Sequence, residues 1–283
     1  MVEPEKEKKA EPRTQQLSQT PRRLRILHLY HDLMNLYGDW ANVAVLQREL
    51  AVRGRHALVD KRSVGDEVDF GCYDFVYIGS GTERSQRACM RDLARYKELL
   101  VSMVEAGLPV LATGNSHELF GRAIKEEGGE RYEALGVLDF ETVQLPTRVT
   151  GDCVYKASFL PERLIGFINR AGDGQEGNIE RPFHAELGPG ANDKSSAEGI
   201  RYKNLLGTYM TGPILVRNPP LLKYFADKFA TCPEARITGE GAVHSEFGDR
   251  DAHSDDSFLN YQSAAYSTAL SELIKRKGIV TGD

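Results

Sequence analysis

Short apolar runs alternate with stretches of helical spacing from residue 25 to residue 121, and this alternation restricts the chain more than any other feature. Residues 25–30, 57–60, 74–78 and a run starting at Val110 read as buried strands. Between them, residues 42–53 place Val43, Leu46 and Leu50 on one helical face before Gly54 stops the helix. A polar helix follows the turn Gly79-Ser80-Gly81 and extends to about residue 103. Such a repeat predicts an α/β fold: a doubly wound, mostly parallel sheet flanked by helices, with its ligand site at the carboxyl ends of the strands.

The texture becomes richer in β-structure after Leu135. Residues 142–148, 153–157 and 164–169 read as short strands, and residues 170–200 as a long Gly-, Asp- and Ser-containing loop. A strand at 205–210 and a helix at 219–230 come next. The expected organisation is a solvated tail over residues 1–23, one domain over 24–230, a polar surface insertion over 231–257 and a packing helix over 258–283, capped by Ser254 or Asp255. A net charge of −5 argues against a broad basic face for nucleic acid. The four cysteines, Cys72, Cys89, Cys153 and Cys232, lack metal-ligand spacing, so neither a metal nor another cofactor is expected. No apolar run approaches the roughly 20 residues that span a bilayer, and residues 1–20 lack a signal-peptide core, so no membrane insertion and a cytoplasmic location are expected.

The segment Val110-Leu111-Ala112-Thr113-Gly114-Asn115-Ser116-His117-Glu118-Leu119-Phe120-Gly121 has the grammar of a strand, a tight elbow and a helix. In α/β enzymes of acyl transfer such an elbow presents the nucleophile, helped by the helix N-terminus. Here the elbow holds Gly114, which has neither thiol nor hydroxyl.

Three segments together resemble the CobB/CobQ-type class I glutamine amidotransferases, nearest to their GatD-like branch. The first runs from Leu29 to Asn42, through His31-Asp32-Leu33-Met34-Asn35 and Tyr37-Gly38-Asp39. The second is Tyr77-Ile78-Gly79-Ser80-Gly81, and the third runs from Gly199 to Leu215 through Gly207-Thr208-Tyr209-Met210-Thr211-Gly212-Pro213, with Asn218-Pro219 after it. The resemblance implies a Cys-His site that hydrolyses glutamine and passes ammonia to a synthetase. In the GatD-like branch that partner is a MurT-like Mur-ligase subunit amidating the D-glutamate of lipid II; CobB and CobQ relatives amidate corrinoid precursors. The family's Leu-Ala-Ile-Cys-Gly-Gly-Tyr-Gln-Leu-Leu-Gly aligns without gaps on residues 111–121, which puts Gly114 at the nucleophile position. Its Gly-Thr-Tyr-Leu-His-Gly-Pro puts Thr211 at the base position. Trp40 and Ala41 stand where relatives have Arg-Gly.

By the same resemblance Arg148 is a glutamine-recognising arginine, suited to a carboxylate by bidentate pairing. Gly79, Ser80 and Gly81 offer backbone N–H groups to an anion, and Asn115 lies beside them. Ser116 and Cys89 are the candidates for a replacement nucleophile, with His117 and Glu118 nearby, while His28, His31 and Cys153 read as packing or loop residues. Asp32, Asn35, Tyr37, Asp39 and Asn42 form a polar cluster after the first strand. Three functions are compatible with these residues: an amidotransferase subunit without its own glutaminase, bound to a MurT-like partner with glutamine or ammonia as ligand; a free-standing hydrolase with a remodelled nucleophile; or a non-catalytic ligand-binding module.

Overall fold

Leu24–Leu29 (β1) is buried almost throughout, and its side chains alternate between two hydrophobic layers. The computed structural model describes residues 23–175, 177–230 and 257–277. In chain order β1 is followed by helix α1 (Trp40–Val52), strand β2 (Ala57–Arg62), strand β3 (Phe75–Ile78), helices α2 (Glu83–Leu93) and α3 (Lys97–Glu105), and strand β4 (Val110–Thr113). A 3-10 helix (Gly114–Phe120) leads to strands β5 (Ala123–Lys125), β6 (Arg131–Glu133), β7 (Glu141–Ala157), β8 (Leu160–Gly174), β9 (Phe183–Leu187) and β10 (Ala197–Glu198). Strands β11 (Ile200–Tyr202), β12 (Leu205–Thr208) and β13 (Met210–Thr211) precede helices α4 (Ile214–Arg217), α5 (Pro219–Ala230) and α6 (Ser257–Lys277).

The first sheet has the order β11-β12-β4-β3-β1-β2 and is parallel except at β11. Period-two alternation sorts its residues by face. Leu27, Leu29, Val76, Ile78, Val110 and Ala112 join one core with α2 and α3. Ile26, Phe75, Tyr77 and Leu111 join a second core with α1 and α5. Burial on both faces is why these strands read as continuous apolar runs. The chain passes from β1 outward to β2 and then returns to the other side of β1 as β3, so the topological switch point lies between β1 and β3.

The second sheet is built on a long antiparallel ribbon of β7 and β8, running from Thr142↔Gly174 to Ala157↔Leu160, with a register shift between Gln144 and Val149. Here the structure differs from the sequence expectation. The strands expected at 142–148 and 153–157 are one strand through an irregular segment, and β8 extends into the expected loop, which also holds β9 and β10. Glycine and aspartate lower strand propensity, yet Gly172 is needed where a Cβ would lie 2.7 Å from the Tyr209 hydroxyl. The chain crosses from the first sheet to the second at Tyr209, between Thr208, paired with Thr113, and Met210, paired with Ile168. The helix expected after the elbow is 3-10 and stops at Gly121, packed closely against Phe140.

Helix α6 docks through Gln262, which donates to Leu215 O and Val216 O, and through Tyr266, which donates to Arg163 O. Nearly all of the expected tail and surface insertion, with the capping residues Ser254 and Asp255, lies outside the described residues. A buried clamp closes the base: Asn218 Nδ2 donates to Ile165 O and Ile214 O, and its Oδ1 accepts from Ile165 N at 2.8 Å. Truncation leaves three buried backbone groups with a lost partner, so Asn218→Ala is expected to cost about 2–4 kcal/mol in urea unfolding. A loss below about 1 kcal/mol would show that water replaces the clamp.

Candidate functional site

Strand β4 ends at Thr113, and the next residue, Gly114, turns the chain with φ +61. That left-handed backbone is strained for a residue with a side chain and is what a nucleophile elbow requires. A Cβ at Gly114 would lie 2.6 Å from Ser80 Cβ, so the Ser80 side chain occupies the space that a side chain at the elbow would enter. The Gly-rich turn is packed as tightly: a Cβ at Gly79 would lie 2.7 Å from Asp39 Cβ, and one at Gly81 2.8 Å from Leu33 O.

Two amides of this turn are already engaged. Ser80 N donates to Asp39 Oδ2 at 3.0 Å, and Gly81 N donates to Asn115 Oδ1 at 3.1 Å. Asn115 Nδ2 returns a hydrogen bond to Gly81 O at 2.9 Å, so Asn115 ties the elbow to the turn. These two N–H groups are therefore taken up inside the protein and not presented to an oxyanion.

The cluster after β1 divides into a buried and an exposed part. Asp39 accepts from Tyr77 at 3.3 Å as well as from Ser80, and burial pushes its carboxyl up to about 6. Asn42 Nδ2 donates to the Tyr77 hydroxyl at 2.7 Å, and its Oδ1 accepts from Leu215 N. These residues brace the floor under the elbow. Asn35 Oδ1 accepts from Trp40 N at the start of α1, while Leu36 and Trp40 are exposed.

Thr211 reaches the same end of the sheet, since Thr208 pairs with Thr113 and Thr211 comes three residues later. Its hydroxyl donates to Phe167 O at 3.0 Å, and a hydroxyl does not titrate near neutral pH. Arg148, in the irregular segment of β7, donates to Glu83 Oε1 at 2.6 Å and to Asn169 Oδ1 and O. Its guanidinium thus already holds a carboxylate, at the N-terminal end of α2. Asn169 in turn donates to the Tyr37 hydroxyl at 2.8 Å, linking Arg148 to the loop after β1.

The two candidates for a replacement nucleophile do not fit that role. Ser116 is fully buried, and its hydroxyl is held between Ile78 O at 3.0 Å and Thr113 O at 2.9 Å, which anchors the first turn. Cys89 is buried in the core between α2 and the sheet, and burial pushes its thiol up to about 12, against thiolate formation. His117 binds Gly114 O through Nδ1 at 2.7 Å, and burial lowers it to about 3, so it stays neutral. His28 is likewise buried and lowered to about 3, and Cys153 is a core residue.

Tyr209, Glu198 and Arg170, none of them a candidate from sequence, complete the region. Tyr209 donates its hydroxyl to Glu118 Oε1 at 2.9 Å and its N–H to Glu198, and the Arg170 guanidinium lies 5.3 Å from its ring centroid. Glu118 Oε2 also accepts from Gln86 Nε2 at 2.7 Å, and burial pushes its carboxyl up to about 7. Glu198 accepts from Thr208 Oγ1 at 2.8 Å and is pushed up to about 7, also by burial. Tyr209 stood inside the Gly-Thr-Tyr motif; nothing local marked Glu198 or Arg170. Among the described residues no group of three or more His, Cys, Asp or Glu could hold a metal ion, and no helix is long and apolar enough to cross a membrane.

Residues 25–219 match the CobB/CobQ-like glutamine amidotransferase domain. Over 205 residues the chain is 33% identical to lipid II isoglutaminyl synthase (glutamine-hydrolyzing) subunit GatD of Staphylococcus aureus strain N315, covering 72% of this chain and 84% of that one. It is 34% identical over 203 residues to the subunit of the same name from Streptococcus pneumoniae strain R6, covering 71% of this chain and 78% of the other. A crystal structure of a glutamine amidotransferase is similar with a TM-score of 0.49 and 16% identity, covering 72% of this chain and 99% of that chain.

Burial that raises a carboxyl group leaves a pH signature. The folded chain holds Glu118 protonated to higher pH than the unfolded chain does, so its stabilising share is full below about pH 4.5 and is lost as pH rises through about 7. His117 and His28 act in the opposite direction as pH falls below about 6.5, so comparison with a variant isolates the carboxyl. Glu118→Gln is expected to gain about 1–3 kcal/mol relative to the native chain between about pH 4.5 and 8, read by urea unfolding at each pH. A pH-independent difference would show that Glu118 is ionised throughout.

Proposed function

Because this chain belongs to the CobB/CobQ-like glutamine amidotransferase family, we propose that it is the amidotransferase-type subunit of a lipid II amidating assembly and hydrolyses no glutamine itself. The relatives' names, each a subunit of lipid II isoglutaminyl synthase, support the assembly. Its partner in this reading is a MurT-like Mur-ligase subunit, acting in the cytoplasm on the D-glutamate of the precursor.

The observation that carries the loss of glutaminase is the filled elbow. Hydrolysis through a thioester needs a thiolate at the elbow and an imidazole to protonate the departing ammonia. At the elbow Gly114 has no side chain, and the Ser80 side chain stands in the space one would enter. At the base position Thr211 spends its hydroxyl on Phe167 O. Loss of residues that act as one catalytic unit costs on the order of 10⁶ in rate. A free-standing hydrolase built on Ser116 or Cys89 is disfavoured by the burial of both. The ammonia used by the partner is therefore free ammonia, and this chain contributes by docking and by stabilising the synthetase.

The test reconstitutes lipid II amidation with the co-expressed MurT-like chain, with either ammonium or glutamine as nitrogen source. Amidation is expected with ammonium and at least about 100-fold less with glutamine, with no glutamate released. Glutamine-supported amidation at a comparable rate, or no stable complex between the two chains, would overturn the proposal.

A further inference from the structure

Both faces of the β7–β8 ribbon approach the elbow region, one through Arg148 and the other through Arg170, which lies over the Tyr209 ring. Arg148 and Asn169 belong to the face turned toward α2 and the loop after β1, as their bonds to Glu83 and Tyr37 show. Val149 and Arg170, which pair with each other, are the chain neighbours of Arg148 and Asn169 and lie on the opposite face, because successive side chains in a strand alternate. On that face is a cavity of about 440 Å³, within the range of small-molecule sites.

Leu145 and Val149 supply its apolar wall, and residues of the segment Gly188–Ser196 also line it. That segment is built into the fold and not draped over it. A Cβ at Gly188 would lie 2.8 Å from Asp152 O, Asn192 donates to Gly174 O at 2.8 Å, and Asn192 Oδ1 accepts from Lys194 N at 3.0 Å. Arg170 is 3% exposed and lines the cavity. Its five N–H donors are incompletely used: two go to Gly172 O and Asp173, one reaches Gly190 O at 3.3 Å, and Nε has no partner. A nearly buried guanidinium with donors to spare is costly unless something completes it.

The charges lining the cavity balance. Arg170 and Lys194 are cationic, Asp173 and Asp193 anionic. A simple anion would meet two carboxylates there, and a simple cation would meet a guanidinium and an ammonium. We infer that this cavity binds a small zwitterion of the α-amino-acid type, with its carboxylate on Arg170 and Lys194, its ammonium on Asp173 and Asp193, and its side chain against Leu145 and Val149. The inference requires no partner and no glutamine hydrolysis at the elbow.

Calorimetric titration of the full chain with glycine, L-alanine, L-glutamate and L-glutamine tests it, with acetate, methylamine and inorganic phosphate as controls. At least one amino acid is expected to bind with a Kd of about 1 mM or tighter, and each control at least about tenfold more weakly. Lys194 and Asp193 are exposed, so Lys194→Gln and Asp193→Asn leave the fold intact. Together they should weaken binding by about tenfold, whereas Arg148→Ala should leave it unchanged. Three results would overturn the inference: no binding by any amino acid up to about 10 mM, equal binding of acetate or phosphate, or loss of binding in Arg148→Ala with none in the Lys194 and Asp193 variants. The last would place the ligand at the face bearing Arg148. None of these depends on whether the chain hydrolyses glutamine.

Discussion

The seating of Ser80 on Gly114 is the contact around which the candidate site is arranged. Gly114 turns the chain through a left-handed backbone at the end of β4, and Ser80 rises from the turn after β3 into the space above it. Two neighbouring strands of a parallel sheet end at the same level, so the loop leaving one must fit against the loop leaving the other. Here the fit is a side chain on one loop over a bare backbone on the other. Asn115 and Asp39 then fasten the turn through the amides of Gly81 and Ser80, leaving the elbow filled and those two donors engaged.

A second junction joins the two sheets. Tyr209 sits where the chain steps from β12 to β13, and its backbone and hydroxyl reach the two buried carboxyls, Glu198 and Glu118. Burying two such groups is unfavourable unless each finds donors or keeps its proton. Thr208, Gln86 and Tyr209 supply donors, and Arg170 lies over the ring. Polar networks in a low-dielectric interior are rigid when satisfied. The elbow backbone at Gly114 is thus braced by its surroundings.

How much of this was legible in the sequence depends on the range of the interaction. The parallel sheet and its helices were readable because period-two and helical spacing are local, and Phe75, Val76, Tyr77 and Ile78 sort themselves between two cores as their alternation requires. The elbow was readable because an apolar run broke at Gly114. The β7–β8 ribbon was not, because Gly172, Asp173 and Gly174 look like loop, while the missing side chain of Gly172 is what admits Tyr209. Ser80 was visible as part of a Gly-rich turn, but its position over Gly114 is a contact between distant parts of the chain. The use of Ser116 as an anchor for two carbonyls likewise depends on strand β3 lying alongside.

Glutamine hydrolysis by restored variants tests the filled elbow most directly. Glutamate release would be measured for the native chain, for Gly114→Cys/Thr211→His, and for the same pair with Ser80→Gly. The native chain should be silent, the pair should stay near background because Ser80 occupies the place of the new thiol, and the triple variant should release glutamate. Turnover of glutamine by the native chain would contradict the loss of function, and full activity of the pair with Ser80 in place would contradict the role given to that side chain.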